Sequence, residues 1–172
     1  SDVCSSDLLS DRGFDPGAEV FCGGFLPVGR KIFRCWQKAG HGRVGLKDAL
    51  AQSCNVYFCA AGMGLGLDKI SEISSALGLG RRTGVDLPGE MKGLVAGRRY
   101  LDKRYGEAGW TRGVVANISV GQGEVLVTPI QMTVLTSAAA GYGLVPYPYL
   151  VRSVQNQEKS GWTMTEPRLR DT

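Results

Sequence analysis

The sequence predicts an α+β fold, a helical subdomain beside part of an antiparallel sheet. Three observations carry this reading. Apolar residues recur at helical spacing over residues 46–61 and again over 67–77. Thr128-Pro129-Ile130-Gln131 has the chemistry of a helix start. Short apolar pieces bounded by Gly and turn residues stand between and after these segments, as strands of a small sheet would.

The elements follow in order. Residues 11–45 are rich in Gly and turn formers and predict a loop segment with one or two short strands, Glu19-Val20-Phe21-Cys22 and Lys31-Ile32-Phe33-Arg34. A segment this long and irregular is usually functional or pinned by something. Residues 46–61 predict one buried helix, with Leu46, Ala49, Leu50, Ser53, Val56, Tyr57 and Ala60 on one face, so that Ser53 points inward. Residues 67–77 predict a second helix, with Ile70, Ile73 and Leu77 together and Gly78 placed for a left-handed cap. Residues 78–99 read as a Gly-rich loop containing Pro88, and 114–120 as a short strand. The helix capped by Thr128, with Pro129 in its first turn and Gln131 reaching back, runs to about Ala140, where Gly141 ends it. Residues 149–154 and 161–165 predict a hairpin across Gln155-Asn156-Gln157. No internal repeat and no domain boundary stand out.

A chain of 172 residues, 43% of them hydrophobic, can bury one real core. Its net charge of +4 comes from basic residues that are scattered apart from Arg81-Arg82, Arg98-Arg99 and Lys103-Arg104. That is a solvated basic surface and argues against a nucleic-acid partner. No apolar stretch reaches membrane-spanning length, and no signal peptide opens the sequence. Residues 1–8, Ser-Asp-Val-Cys-Ser-Ser-Asp-Leu, resemble the in-frame translation of a sequencing-adapter oligonucleotide. They are set aside as foreign, Cys4 with them. The expectation is a partial domain over 9–172, truncated at both ends.

Cys22, Cys35, His41 and Cys54 are spaced C-x12-C-x5-H-x12-C and include the sole His of the chain. Three cysteines and a histidine suit a closed tetrahedral zinc site, which would pin the irregular 11–45 segment to the helix carrying Ser53. Free buried thiols and a Cys22–Cys35 disulfide are the alternatives.

Ser53-Cys54-Asn55 is an S-x-N element set among apolar neighbours. Gly40-His41-Gly42 precedes it. After it come Gly84-Val85-Asp86-Leu87-Pro88-Gly89-Glu90, then Ser119-Val120-Gly121-Gln122-Gly123, then Val127-Thr128-Pro129-Ile130-Gln131-Met132. In order and wording, residues 14–148 resemble class B penicillin-binding proteins of the penicillin-binding protein 2 group. These are the peptidoglycan D,D-transpeptidases of the elongation machinery in rod-shaped bacteria. The resemblance implies the penicillin-binding protein and serine beta-lactamase-like transpeptidase fold. It gives Ser53 a hydroxyl that bonds the Lys of an S-x-x-K motif and relays protons, and gives Asn55 the substrate amide to hold. No Ser-x-x-Lys occurs in this sequence; in the family it lies roughly fifty residues before S-x-N. The family's K-T-G strand lies past residue 172, so Arg82-Thr83-Gly84 is read as structural.

By the same resemblance Gly121-Gln122-Gly123 is a tight turn behind the active site that positions the Thr128 helix. A phosphate-cradling role fits it poorly, because the third Gly and a following acidic residue are missing. Some relatives carry zinc in the region of Cys22, Cys35, His41 and Cys54, which favours a structural zinc ion there and leaves Cys59 as core filler.

The resemblance further implies a parent that cross-links stem peptides through a serine acyl-enzyme and is acylated by beta-lactams. Its partners would be the elongation machinery and a glycan polymerase. An N-terminal helix would anchor it in the inner membrane with this domain in the periplasm. The chain alone should be inactive. Rival readings are a non-catalytic, zinc-stabilised binding or scaffold relative and a division-type class B penicillin-binding protein. A stand-alone beta-lactamase has no use for the Cys-bearing segment.

Overall fold

The structure, a computed structural model, describes residues 9–10, 13–15, 17–107, 109–156 and 161–170. Residues 1–8, and with them the adapter reading and Cys4, lie outside the described residues, as does Gln157 of the expected Gln155-Asn156-Gln157 turn. The chain divides into two compact units, Ser1–Ser71 with Ala96–Glu124, and Glu72–Val95 with Val125–Thr172.

In the first unit the 11–45 segment is richer in strands than its sequence predicts. β1 (Leu9–Ser10) pairs with β2 (Gly13–Phe14). β3 (Val20–Cys22) pairs antiparallel with β6 (Gly42–Val44), Val20 opposite Val44 and Cys22 opposite Gly42. Between them β4 (Phe25–Val28) and β5 (Lys31–Arg34) form a hairpin. The two expected strands, near Glu19 and Lys31, are β3 and β5; their partners β4 and β6 carry Gly, Pro and Arg, which mask a strand pattern.

The helix expected over 46–61 is two helices, α1 (Leu46–Ala51) and α2 (Asn55–Leu65), broken at Gln52–Cys54. Ser53 and Leu50, expected on the inward face, are exposed, Leu50 at 68%. α3 (Leu67–Ala76) agrees with its prediction. α4 (Arg98–Tyr105) takes over the end of the expected 78–99 loop. The expected strand at 114–120 is instead α5 (Arg112–Ser119). Its β-branched residues suggest a strand, but tertiary packing overrides that preference. Gly113, Val115, Ala116 and Ile118 are buried. α5 and α2 approach so closely that a Cβ on Gly62 would fall 1.7 Å from the Ser119 Oγ. The core gathers Val20, Val44, Ala49, Val56, Tyr57, Ala60 and Ala116.

The second unit holds β7 (Leu94–Val95) paired with β8 (Val125–Leu126), α6 (Pro129–Ala140), and the hairpin β9 (Ser153–Asn156) with β10 (Gly161–Met164). A hairpin is expected here, but its first strand begins at Ser153 instead of Tyr149 and runs through Gln155 and Asn156, which pair with Trp162 and Gly161 and so do not form the turn. α6 has the anticipated capping box, Thr128 N–H donating to Gln131 Oε1 at 3.0 Å and Gln131 N–H to Thr128 Oγ1 at 3.3 Å. Gln131 is fully buried and also donates from Nε2 to the Arg81 and Lys92 carbonyls at 2.7 and 2.9 Å, stitching the 78–99 loop to the helix. Gly78 closes α3 as predicted, with φ +90°, its N–H on Ser75 O and the Leu79 N–H on Ser74 O.

Candidate functional site

The S-x-N element sits at the break between α1 and α2, and the break has a local cause. The Cys54 N–H donates to Ala49 O at 2.8 Å and the Ser53 N–H to Leu50 O at 3.2 Å. This is a Schellman ending of α1. Its left-handed position, usually glycine, is held by Ser53 at φ +50°. A side chain there costs about 1–2 kcal/mol, a strain that in folded proteins gathers at functional sites. The turn alternates its three residues: Ser53 is exposed, Cys54 is fully buried, and Asn55 is half-buried at the start of α2.

The three residues that end and follow β5 grip this turn. The Arg34 carbonyl accepts from Asn55 Nδ2 at 3.2 Å. Trp36 Nε1 donates to Gln52 O at 2.8 Å. Between them Cys35 enters a cluster with Cys22, His41 and Cys54 in which all ligand atoms lie within 4.8 Å of one another. Sequence reasoning anticipated the cluster but not the contacts of Arg34 and Trp36, whose one signal was adjacency to Cys35.

The cluster fits a four-coordinate metal. His41 Nδ1 lies 3.6 Å from Cys22 Sγ and 3.5 Å from Cys35 Sγ. Bonds of ~2.3 Å to sulfur and ~2.0 Å to nitrogen give a tetrahedron with edges of about 3.5–3.8 Å. The three cysteines are buried and none of them is in a disulfide. Burial opposes the Cys35 thiolate, but backbone N–H groups of Asn55, Gln37 and Val56 and the Cys22 side chain hold its pKa below the ordinary value. Burial pushes Cys54 up to about 12, with Cys22 and Cys35 adding to the rise. A metal would have to displace that proton. His41 is presented by a turn that needs its glycines: Gly40 has φ +82° and a Cβ there would fall 2.1 Å from Cys22 O. Trp36 packs edge-on against the imidazole, ring centroids 5.4 Å apart. Cys59 lies apart from the cluster, its thiol raised to about 11 by burial, as core filler should be.

A cleft of about 480 Å³ opens beside Asn55. β5 forms one wall, and Asn55, Cys59, Asn117 and Gln122 contribute to the other. The Gly121-Gln122-Gly123 turn ends α5: Gly121 N–H bonds Ile118 O, Gln122 N–H bonds Asn117 O, and both glycines have φ near +70°.

The penicillin binding protein transpeptidase domain model matches residues 8–171. The chain belongs to this transpeptidase domain family. It is 34% identical over 128 residues to a peptidoglycan D,D-transpeptidase MrdA of Acinetobacter baumannii, covering 74% of the chain and 19% of the relative. Its fold matches a Helicobacter pylori penicillin-binding protein, PBP2, with a TM-score of 0.79 at 29% identity, over 99% of the chain and 30% of that protein. It also matches the PBP2 in a complex with MreC from the same organism, with a TM-score of 0.75 at 31% identity, over 86% of the chain and 28% of that protein. The chain thus spans less than a third of each.

Within the second unit of the transpeptidase domain, Arg82-Thr83-Gly84 is closed in on itself. Thr83 is fully buried, and its N–H and hydroxyl both donate to Glu90 Oε1, while the Gly84 N–H donates to Glu90 Oε2 at 3.1 Å. Arg170 donates to the Arg82 and Thr83 carbonyls at 3.2 and 2.6 Å. Every polar group a ligand would use on Thr83 is already engaged, which agrees with a structural role.

Proposed function

We propose that this chain supplies the S-x-N segment and a metal-anchored wall of a peptidoglycan D,D-transpeptidase acting in cell elongation. The observation that carries the reading is the strained, exposed Ser53, followed by buried Cys54 and by Asn55, which lines a cleft, in a chain of the transpeptidase family. In the parent reaction the serine of an S-x-x-K motif outside this sequence attacks the D-Ala-D-Ala carbonyl of one stem peptide and releases D-Ala. The amine of a neighbouring stem then resolves the ester. Ser53 offers its exposed hydroxyl to the motif Lys and passes the proton on. Asn55, with Nδ2 held by Arg34 O, turns its amide toward the substrate backbone. Beta-lactams stop the enzyme at the acyl stage.

Cys22, Cys35, His41 and Cys54 would hold zinc in a closed shell, where it fixes geometry and leaves no open position for chemistry. The PBP2–MreC complex of the H. pylori relative supports partners in the elongation machinery, and a peptidoglycan synthase complex that coordinates polymerization and crosslinking, whose fold the chain also matches, supports a glycan polymerase among them. By family resemblance the parent is anchored in the inner membrane with this domain in the periplasm; among the described residues no helix is long and apolar enough to cross a membrane.

Fluorescent-penicillin labelling of the longer protein containing this chain tests the reading. Covalent labelling that is lost when the S-x-x-K serine becomes alanine, and much slowed by Ser53→Ala, supports it. A folded long protein that never labels would favour the non-catalytic zinc-stabilised scaffold. Labelling of this chain by itself would contradict the placement of the nucleophile.

A further inference from the structure

The β4–β5 hairpin has two edges, and they are unlike. The Cys35 N–H donates to Gly24 O at 2.8 Å, which fixes the hydrogen-bonding parity of the ladder. Counting along the register, Leu26–Phe33 and Val28–Lys31 are bonded pairs, and Phe25–Arg34 and Pro27–Ile32 are the non-bonded pairs between them. The outward groups of β4 are therefore those of Phe25 and Pro27, and the proline has no N–H to offer. That edge is blunted. The outward groups of β5 are the N–H and C=O of Ile32 and of Arg34. Among the described residues one of these four has a partner, the Arg34 carbonyl, which accepts from Asn55 Nδ2.

This open edge forms one wall of the cleft beside Asn55. Ile32 is 59% exposed, and Arg30, Lys31 and Arg34 are all exposed cations on or next to the strand. None of the three has a carboxylate partner among the described residues. Cations on an edge repel another basic strand; here they also select the sign of what may add.

We propose that the β5 edge takes an extended, carboxylate-bearing peptide segment as an added strand, running along the cleft toward Asn55. Main-chain bonds to Ile32 N–H and C=O and to Arg34 N–H would supply affinity, and Arg30, Lys31 and Arg34 would supply selectivity for acidic side chains. The inference stands on the hairpin geometry and holds whether or not the acyl-transfer reading does.

The test is amide hydrogen exchange of the full 172-residue chain, read with and without acetyl-Glu-Val-Glu-Val-Glu-amide and with the matching Lys peptide as control. The acidic peptide should slow exchange at Ile32 and Arg34 by about tenfold or more, and the Lys peptide should not. Ile32→Pro removes the outward donor without removing a hairpin bond, and should abolish the protection while the Phe33 amide stays protected. Lys31→Glu with Arg34→Glu keeps the backbone intact and should reverse the preference toward the Lys peptide. Equal binding of both peptides, an Ile32→Pro chain that still binds, or Ile32 and Arg34 amides already protected without peptide would overturn the proposal. So would a response confined to anionic phosphatidylglycerol vesicles.

Discussion

Asn55 donates its side-chain amide to the Arg34 carbonyl at 3.2 Å, and the chain neighbours of these two residues, Cys54 and Cys35, meet in one cluster of ligand atoms. The S-x-N element is thus tied to β5 twice, once through a hydrogen bond and once through the cysteines. Whatever holds the cluster together also sets where Ser53 and Asn55 stand.

Ser53 pays conformational strain for its position. Ser53→Gly should stabilise the chain by about 1 kcal/mol in urea unfolding, because glycine adopts φ +50° without penalty. Ser53→Val should destabilise it by a similar amount or more. In the penicillin-labelling protein the glycine variant should be more stable and slower to acylate, separating the two roles of the residue.

Cys54 and Cys59 predict a pH dependence whose sign is set by burial. Cys54 is raised to about 12 and Cys59 to about 11 from an ordinary value of 9.0. The metal-free fold therefore binds these protons more tightly than the unfolded chain. The contribution of these two thiols is fully present below pH 9.0 and declines as pH rises toward their folded values, while Cys35, held below 9.0 by its hydrogen bonds, contributes in the opposite sense. A zinc-loaded chain should keep more of its stability across that window, since ligated Cys54 is already a thiolate. Thermal unfolding from pH 7 to about pH 10, with and without a chelator, checks both curves.

Glu90 works in the opposite direction. Burial opposes its ionisation, but the Thr83 hydroxyl and N–H, the Gly84 N–H and Arg82 hold its carboxyl below the ordinary value of 4.5. Its contribution is present above 4.5 and is lost as pH falls through the folded value. Glu90→Gln should cost about 1–3 kcal/mol near neutrality. The gap between variant and parent in urea midpoint should close in acid.

Gly62 marks the contact of α2 with α5. Gly62→Ala places a methyl on Ser119 and should destabilise the chain by about 1–3 kcal/mol. Ser119→Gly in the same chain should recover part of that loss, and the double-mutant cycle measures the coupling directly.

These sites also show what the sequence could convey. Thr128, Pro129 and Gln131 declare a helix start because the capping box is a local device, and Gly78 declares a helix end for the same reason. The break at Ser53 is hidden because the residue in the left-handed position is not glycine, so the apolar spacing runs on through it. α5 reads as a strand because Val114 and Val115 are β-branched, and the small residues Gly62 and Ala116 that make it a packed helix act only across the fold. The cluster was legible as residue types, with free thiols and a Cys22–Cys35 disulfide standing beside zinc until the fold brought all four ligand atoms together. Its grip on Ser53 was not, because that depends on Arg34 and Trp36, which carry no motif of their own.

Metal content and intact mass, taken together on the purified chain and on Cys54→Ser, decide whether the cluster is a zinc site that positions Asn55. About one zinc per chain with every cysteine reduced is expected, and the variant should lose both the metal and the protection of backbone amides around residue 55. A metal-free chain lighter by the two hydrogens of a Cys22–Cys35 disulfide, equally stable and unchanged around residue 55 when Cys54 is replaced, would contradict it.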